Sequence, residues 1–204
     1  MHAAMTWWIR TRRLPLILLV TAGFWAVALL AGNISLPLPQ LGGATSANVP
    51  LVLFAPLAPA IALNTGYGTP APIEATAVRR TAAFDTLLAV AVVLATAAVT
   101  AGTFAAGWTG GADDASAGTA ARNLACYTGL ALVGRATLGN HASTVVPTVL
   151  ALAVSVFGYG PEQTAHWWAW PAADPSDVLS WAGSAALLVI GLQQTAQGDR
   201  PHRR

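Results

Sequence analysis

The sequence predicts an all-α integral membrane protein of six transmembrane helices, with a short cytoplasmic interfacial helix between the second and third. Three observations carry this. First, 55% of the 204 residues are hydrophobic and only 9% are charged, with a mean hydropathy of +0.57, whereas a soluble domain has roughly 25% charged residues. Second, apolar runs recur along the whole chain at about 14–32, 50–64, 86–106, 123–139, 144–158 and 178–195. Third, all ten basic residues are arginines, and they gather at the ends of those runs, as topology signals do. A pI near 9.2 therefore does not indicate nucleic-acid binding, because the cations form no stripe along one face. The length leaves room for one membrane domain, 14–195, between basic tails at 1–13 and 196–204.

The amino-terminal tail carries Trp7 and Trp8 ahead of Arg10, Arg12 and Arg13 and belongs at the cytoplasmic interface. Leu14–Gly32 is the first span, with Pro15 tolerated in its first turn. A cleaved signal peptide is the rival reading, but the apolar run exceeds the ~7–15 residues of a signal core. One basic match to a twin-arginine signal before Leu14 carries little weight. Asn33–Val49 has no charge and many turn formers, and is expected to be an outer loop that partly dips toward the membrane. In the second run Pro50, Pro56 and Pro59 should kink or unwind the helix. Freed carbonyls then face neighbouring helices or a water-lined path.

Gly66–Asp85, GYGTPAPIEATAVRRTAAFD, is the interior segment that breaks two long apolar runs with both a carboxylate and an arginine pair. Pro70 and Pro72 preset the backbone for a helix start. Glu74 then falls in the first turn and Arg79 and Arg80 near the end, the sense that the helix dipole favours. Ile73, Ala77, Thr81 and Phe84 recur at helical spacing, so an amphipathic helix can lie on the inner membrane surface. The plainer alternative is a solvated turn whose arginines only fix orientation.

Thr86–Ala106 is the clearest span, and Ala98, Gly102 and Ala106 repeat every four residues along it, a spacing that permits close helix packing. Gly107–Arg122 reads as a flexible outer loop in which Asp113 and Asp114 are solvated, since two adjacent acids lack the further oxygen ligands of a metal site. The fourth run, Asn123–Gly139, is thinned by Gly129, Gly134 and Gly139. Arg135 snorkels to the inner interface, and Cys126, the single cysteine, is a small buried apolar residue. Pro147 lies in the fifth run. Trp167, Trp168 and Trp170 then crowd beside Glu162, Asp174 and Asp177. They form either an interfacial aromatic belt or a ligand-stacking cage.

Six spans with both termini cytoplasmic place every arginine inside or near it except Arg122, which faces out. The expected location is the cell membrane. No HExxH, GxSxG, Walker A or GxGxxG pattern occurs. His2, His141, His166 and His202 are dispersed over loops and tails on both sides, and Ser143 beside His141 has no acid near in sequence. The chain is therefore read as non-enzymatic, with no cofactor, no metal and no nucleic-acid partner.

The order of a basic tail, a span, a proline-rich span, the loop with IEATAVRRTAAFD, a long alanine-rich span, RNLACYTGLALVGRATLG and a late WWAWP resembles that of small actinobacterial-type membrane proteins. It is similar to the six-span permease subunits of type-2 ABC exporters. The resemblance implies that the inner loop between spans two and three is a coupling helix, with Glu74, Arg79 and Arg80 touching a separate ATP-binding ATPase subunit. It also implies an oligomer of six-span protomers working by alternating access in the bilayer. A non-transporting membrane scaffold or accessory subunit is the alternative that the same topology allows.

Overall fold

The computed structural model describes residues 12–31, 34–41, 46–66, 81–107, 114–160 and 162–197. Among these there are six α-helices: α1 (Leu14–Ala31), α2 (Leu57–Gly66), α3 (Thr81–Ala105), α4 (Asp114–Leu138), α5 (Ala142–Phe157) and α6 (Val178–Gln197). Each expected span contains a helix. Three of them, Leu14–Ala31, Thr86–Ala105 within α3 and Val178–Gln197, are long and apolar enough to cross a membrane. Only about a fifth of each is buried inside the protein, the arrangement expected of helices with one face turned away from the core.

The second run differs from its expectation. Residues 47–50 form a strand, Leu51–Leu53 a 3-10 turn, and only Leu57–Gly66 an α-helix. Ten residues rise about 15 Å, half of a hydrocarbon core of about 30 Å. The prolines explain the division: Pro50 ends the strand, Pro56 precedes the helix, and Pro59 sits in its first turn, where no intrahelical N–H is needed. They delimit a short helix and do not kink a long one.

The segment expected as an outer loop contains a hairpin. Ser35–Leu38 (β1) pairs antiparallel with Ala47–Pro50 (β2), with Leu36 opposite Val49. Ala47 and Val49 point inward and are buried, while Asn48 is exposed, the period-two alternation of a half-buried strand. Pro37 is tolerated because a two-stranded sheet consists only of edges. Gln40 then ties the segment down by donating from Nε2 to the Ser155 carbonyl at 2.6 Å.

Helix α4 is the axis of the molecule and packs against every other helix. It begins at Asp114, well inside the stretch expected as a flexible loop, because ASAGTAA is alanine-rich and continues the helix backward from Asn123. Gly139, at φ 94°, ends it, and its N–H still reaches the Arg135 carbonyl at 3.1 Å, as a left-handed cap does. The closest crossing is with α6. A Cβ at Gly129 would lie 2.5 Å from the Leu188 nitrogen, and one at Gly191 would lie 2.9 Å from the Gly129 carbonyl oxygen. Glycine is required there because the two backbones are in contact. The Ala98, Gly102 and Ala106 row, by contrast, is exposed, and among the described residues nothing outside the helix's own backbone comes within 4 Å of a Cβ placed at Gly102.

Candidate functional site

The site that the fold builds lies where the first turns of α4 meet the segment 170–177 and the start of α6. Trp170–Ala172 forms a 3-10 turn with Pro171 buried. Asp177 then caps α6, its carboxylate accepting from the Leu179 N–H at 3.3 Å and the Ser180 N–H at 3.0 Å, the contacts of an N-cap acid. Asp174 accepts from both the backbone N–H and the hydroxyl of Ser176, at 2.9 and 2.6 Å. These two bonds, and behind them the positive charge of Arg122, hold its carboxyl below the usual range. The turn therefore exposes a row of carbonyl oxygens toward α4.

Arg122 fills that row. It is fully buried, at 0% exposure. Its Nη1 donates to the Asp174 carbonyl at 2.9 Å and to Ser180 Oγ at 3.0 Å. Its Nη2 donates to the Pro171 and Ala173 carbonyls at 3.3 and 2.9 Å, and its Nε to Asn123 Oδ1 at 3.4 Å. Asn123, also buried, returns a bond from Nδ2 to the Pro171 carbonyl at 2.9 Å. Ser180 can accept because its own hydroxyl hydrogen goes to the Asp177 carbonyl at 2.8 Å. A guanidinium has five N–H groups, and here all five are spent on the protein. Arg122 has none left for a substrate, so its chemistry is that of a clamp holding one segment to another.

This corrects the expectation that Arg122 is the accessible end of a solvated loop: it lies within α4 and is buried. Counting arginines by membrane side registers charge, not donor geometry, and the same guanidinium that looks like a stray outer cation is consumed by carbonyls about fifty residues later in the chain. The signal that could have found it is the RN doublet inside an unbroken helical run, together with a proline-rich, carbonyl-exposing WAWPAADP segment that needs donors.

A second long-range bond reaches the other flank of α4. Tyr127, buried, donates its hydroxyl to the Leu53 carbonyl at 3.0 Å, so α4 holds both the 3-10 turn ahead of α2 and the 170–177 segment. Cys126 is buried as expected. Thus Arg122, Asn123, Tyr127 and Thr128, which make this 25-residue helix less apolar than the long spans, face protein.

The expected interface residues Glu74, Arg79 and Arg80, and with them most of the coupling segment, lie outside the described residues, as does Asp113, while Thr81–Asp85 form the start of α3. Arg135 lies in the last turn of α4. Ser143 is buried and donates to the Asn140 carbonyl at 2.6 Å, while His141 is exposed at the start of α5. Among the described residues no group of three or more His, Cys, Asp or Glu side chains could hold a metal ion. The tryptophans divide. Trp167 is 81% exposed, Trp168 packs against the core, and the Trp170 ring lies over Gly183, where a Cβ would come within 2.7 Å of it. They do not line one cage. Compared with known proteins, the chain matches no family model, no curated protein and no solved structure.

Proposed function

We propose that the chain is a multi-pass membrane protein serving as the membrane-embedded subunit of an exporter driven by a separate ATPase. The observation that carries the membrane part is the polar axis α4, with Arg122 and Asn123 buried, sheathed by helices of which three are long and apolar enough to span. A polar helix enclosed by apolar ones with exposed outer faces is a bilayer arrangement. Support for the exporter part comes from the resemblance in segment order, to which a helix at each of the six expected places conforms. In this reading both termini are cytoplasmic, and Glu74, Arg79 and Arg80 present both charge signs to the ATPase. Such a pattern fixes docking register more than it adds affinity. The chain itself supplies no catalytic step. It works with a second six-span protomer, and nucleotide-driven closure of the ATPase pair opens a path for cargo between them.

A scaffold or accessory role is the second reading, and one observation favours it: the donors of Arg122 are all taken by the protein, so the most polar buried group is committed to structure. The experiment separating the two is affinity purification of the tagged protein from its native membrane, followed by assay of ATP hydrolysis and mass spectrometry of the co-purified chains. The exporter reading expects an ATP-binding subunit at a fixed ratio, lost or reduced at least tenfold in an Arg79→Gln, Arg80→Gln protein that still inserts normally. Purification with no ATP-binding subunit leaves the scaffold reading standing. Full ATPase retention by the double variant would reduce those arginines to topology determinants.

A further inference from the structure

The segment between α5 and α6 exposes two kinds of surface at once. It is closed on itself: the Gly160 N–H donates to the Thr164 carbonyl at 2.9 Å and the His166 N–H to the Gly158 carbonyl at 2.8 Å, and Tyr159 bridges Ala165. Burial in this closure pushes the Tyr159 phenol up to about 12. From it Trp167 projects with 81% of its surface free, while Val178 and Leu179, at the start of α6, are 78% and 61% exposed. Glu162 and Asp174, on the same segment, are exposed too. Large exposed apolar side chains and unburied acids within one short stretch of chain belong at a boundary between two solvents. An indole suits that boundary, having an apolar body and one N–H donor.

What covers the apolar part follows from continuity with α6. Val178, Leu179, Val189 and Ile190 are exposed from one end of this helix to the other, and the helix is long and apolar enough to cross a bilayer. The lipid that covers Val189 and Ile190 continues to Leu179 and Val178. We propose that Trp167, with Val178 and Leu179, forms a docking surface for the lipid headgroup boundary. The Arg122 clamp is the positioning element, since it holds the 171–174 carbonyls and through them the closed segment against α4. Trp168 and Trp170, turned to protein, take no part.

The test uses the full chain labelled with 5-fluorotryptophan in phosphatidylcholine–phosphatidylglycerol vesicles. The Trp167 fluorine resonance is assigned by its loss in Trp167→Phe, an exposed change that leaves the core untouched. The proposal expects a nitroxide at the fifth acyl carbon of the lipid to broaden that resonance away, while a water-soluble gadolinium chelate broadens it less. Equal or greater broadening by the aqueous chelate overturns it, as does protection from both reagents, which would mean a protein partner or a second copy covers the indole. The inference rests on the membrane-spanning reading and not on the ATPase. Carbonate extraction of the same vesicles checks that reading separately, and release of the protein would overturn both.

Discussion

At the scale of the residue, Arg122 decides how the 171–174 segment and the start of α6 are held against α4. Removing a guanidinium from water costs several kcal/mol, and only a nearly complete set of charge-assisted bonds repays it. Its partners are three backbone carbonyls, one hydroxyl and one amide oxygen. Arg122→Ala strands those carbonyls in a buried site and is expected to cost about 3–5 kcal/mol. Arg122→Lys keeps the charge but brings three donors from a single nitrogen to a row shaped for a planar fork, and should fall between alanine and wild type. Thermal unfolding in one detergent, followed by tryptophan fluorescence, checks both. An alanine variant melting with the wild type would mean that the clamp contributes no stability. The position could be read from sequence as an unusual charge but not as a buried one, because its acceptors are backbone oxygens, and backbone oxygens carry no residue signature.

At the scale of the element, close packing is achieved by different glycines from those that the every-four-residue pattern suggests. The Ala98, Gly102 and Ala106 row on α3 has the right spacing, yet the helix crossing that demands glycine is between α4 and α6, at Gly129 and Gly191. Spacing states where a helix can be approached. It does not state where another helix is. Gly129→Val should therefore push α4 and α6 apart and cost a few kcal/mol, as overpacking does, whereas Gly102→Leu should leave the melting of the chain unchanged and register only in assembly. Size-exclusion profiles and melting midpoints of the two variants separate these outcomes, and a destabilised but unassociated Gly102→Leu protein would contradict the exposed placement of that face. The hairpin of β1 and β2 was likewise invisible in an uncharged, proline-rich stretch. Four-residue strands are too short for alternation to stand out, and Pro37 speaks against a strand until the sheet is known to be all edge.

At the scale of the whole molecule, the hydropathy pattern located the six helices of the described residues, of which three are long and apolar enough to cross a membrane. Runs of apolar residues mark burial, and burial in protein is not distinguishable from burial in lipid by composition alone. Hence α2 and α5 read as spans although they are short, and α4 reads as apolar from Asn123 onward although its polar first turns are also helical. The candidate site was split accordingly: RN and WAWP stood out separately, and nothing in one dimension joins them. Orientation remains a proposal that labelling can check. In a Cys126→Ala background, a cysteine at Glu162, which is exposed, should react with an impermeant maleimide on intact cells, and one at Gln197 should react only after lysis. Labelling of position 197 from outside would invert the carboxyl-terminal half and, with it, the arginine logic.

The sequence separation of the clamp has a bearing on biogenesis. The acceptors of Arg122 lie between 49 and 58 residues downstream, apart from its neighbour Asn123. A ribosome therefore delivers α4 with its guanidinium unmet, and the missing oxygens emerge only after α5 has been made. During that interval α4 is poorly suited to lie alone in hydrocarbon, where an isolated arginine is costly. If α4 lies in a membrane, as we propose, it stays beside the insertion machinery or in the headgroup layer until the 171–180 segment emerges. A segment translated later thus completes the coordination of a residue made much earlier, and a nascent chain arrested ahead of Pro171 would hold an axis with nothing to close on.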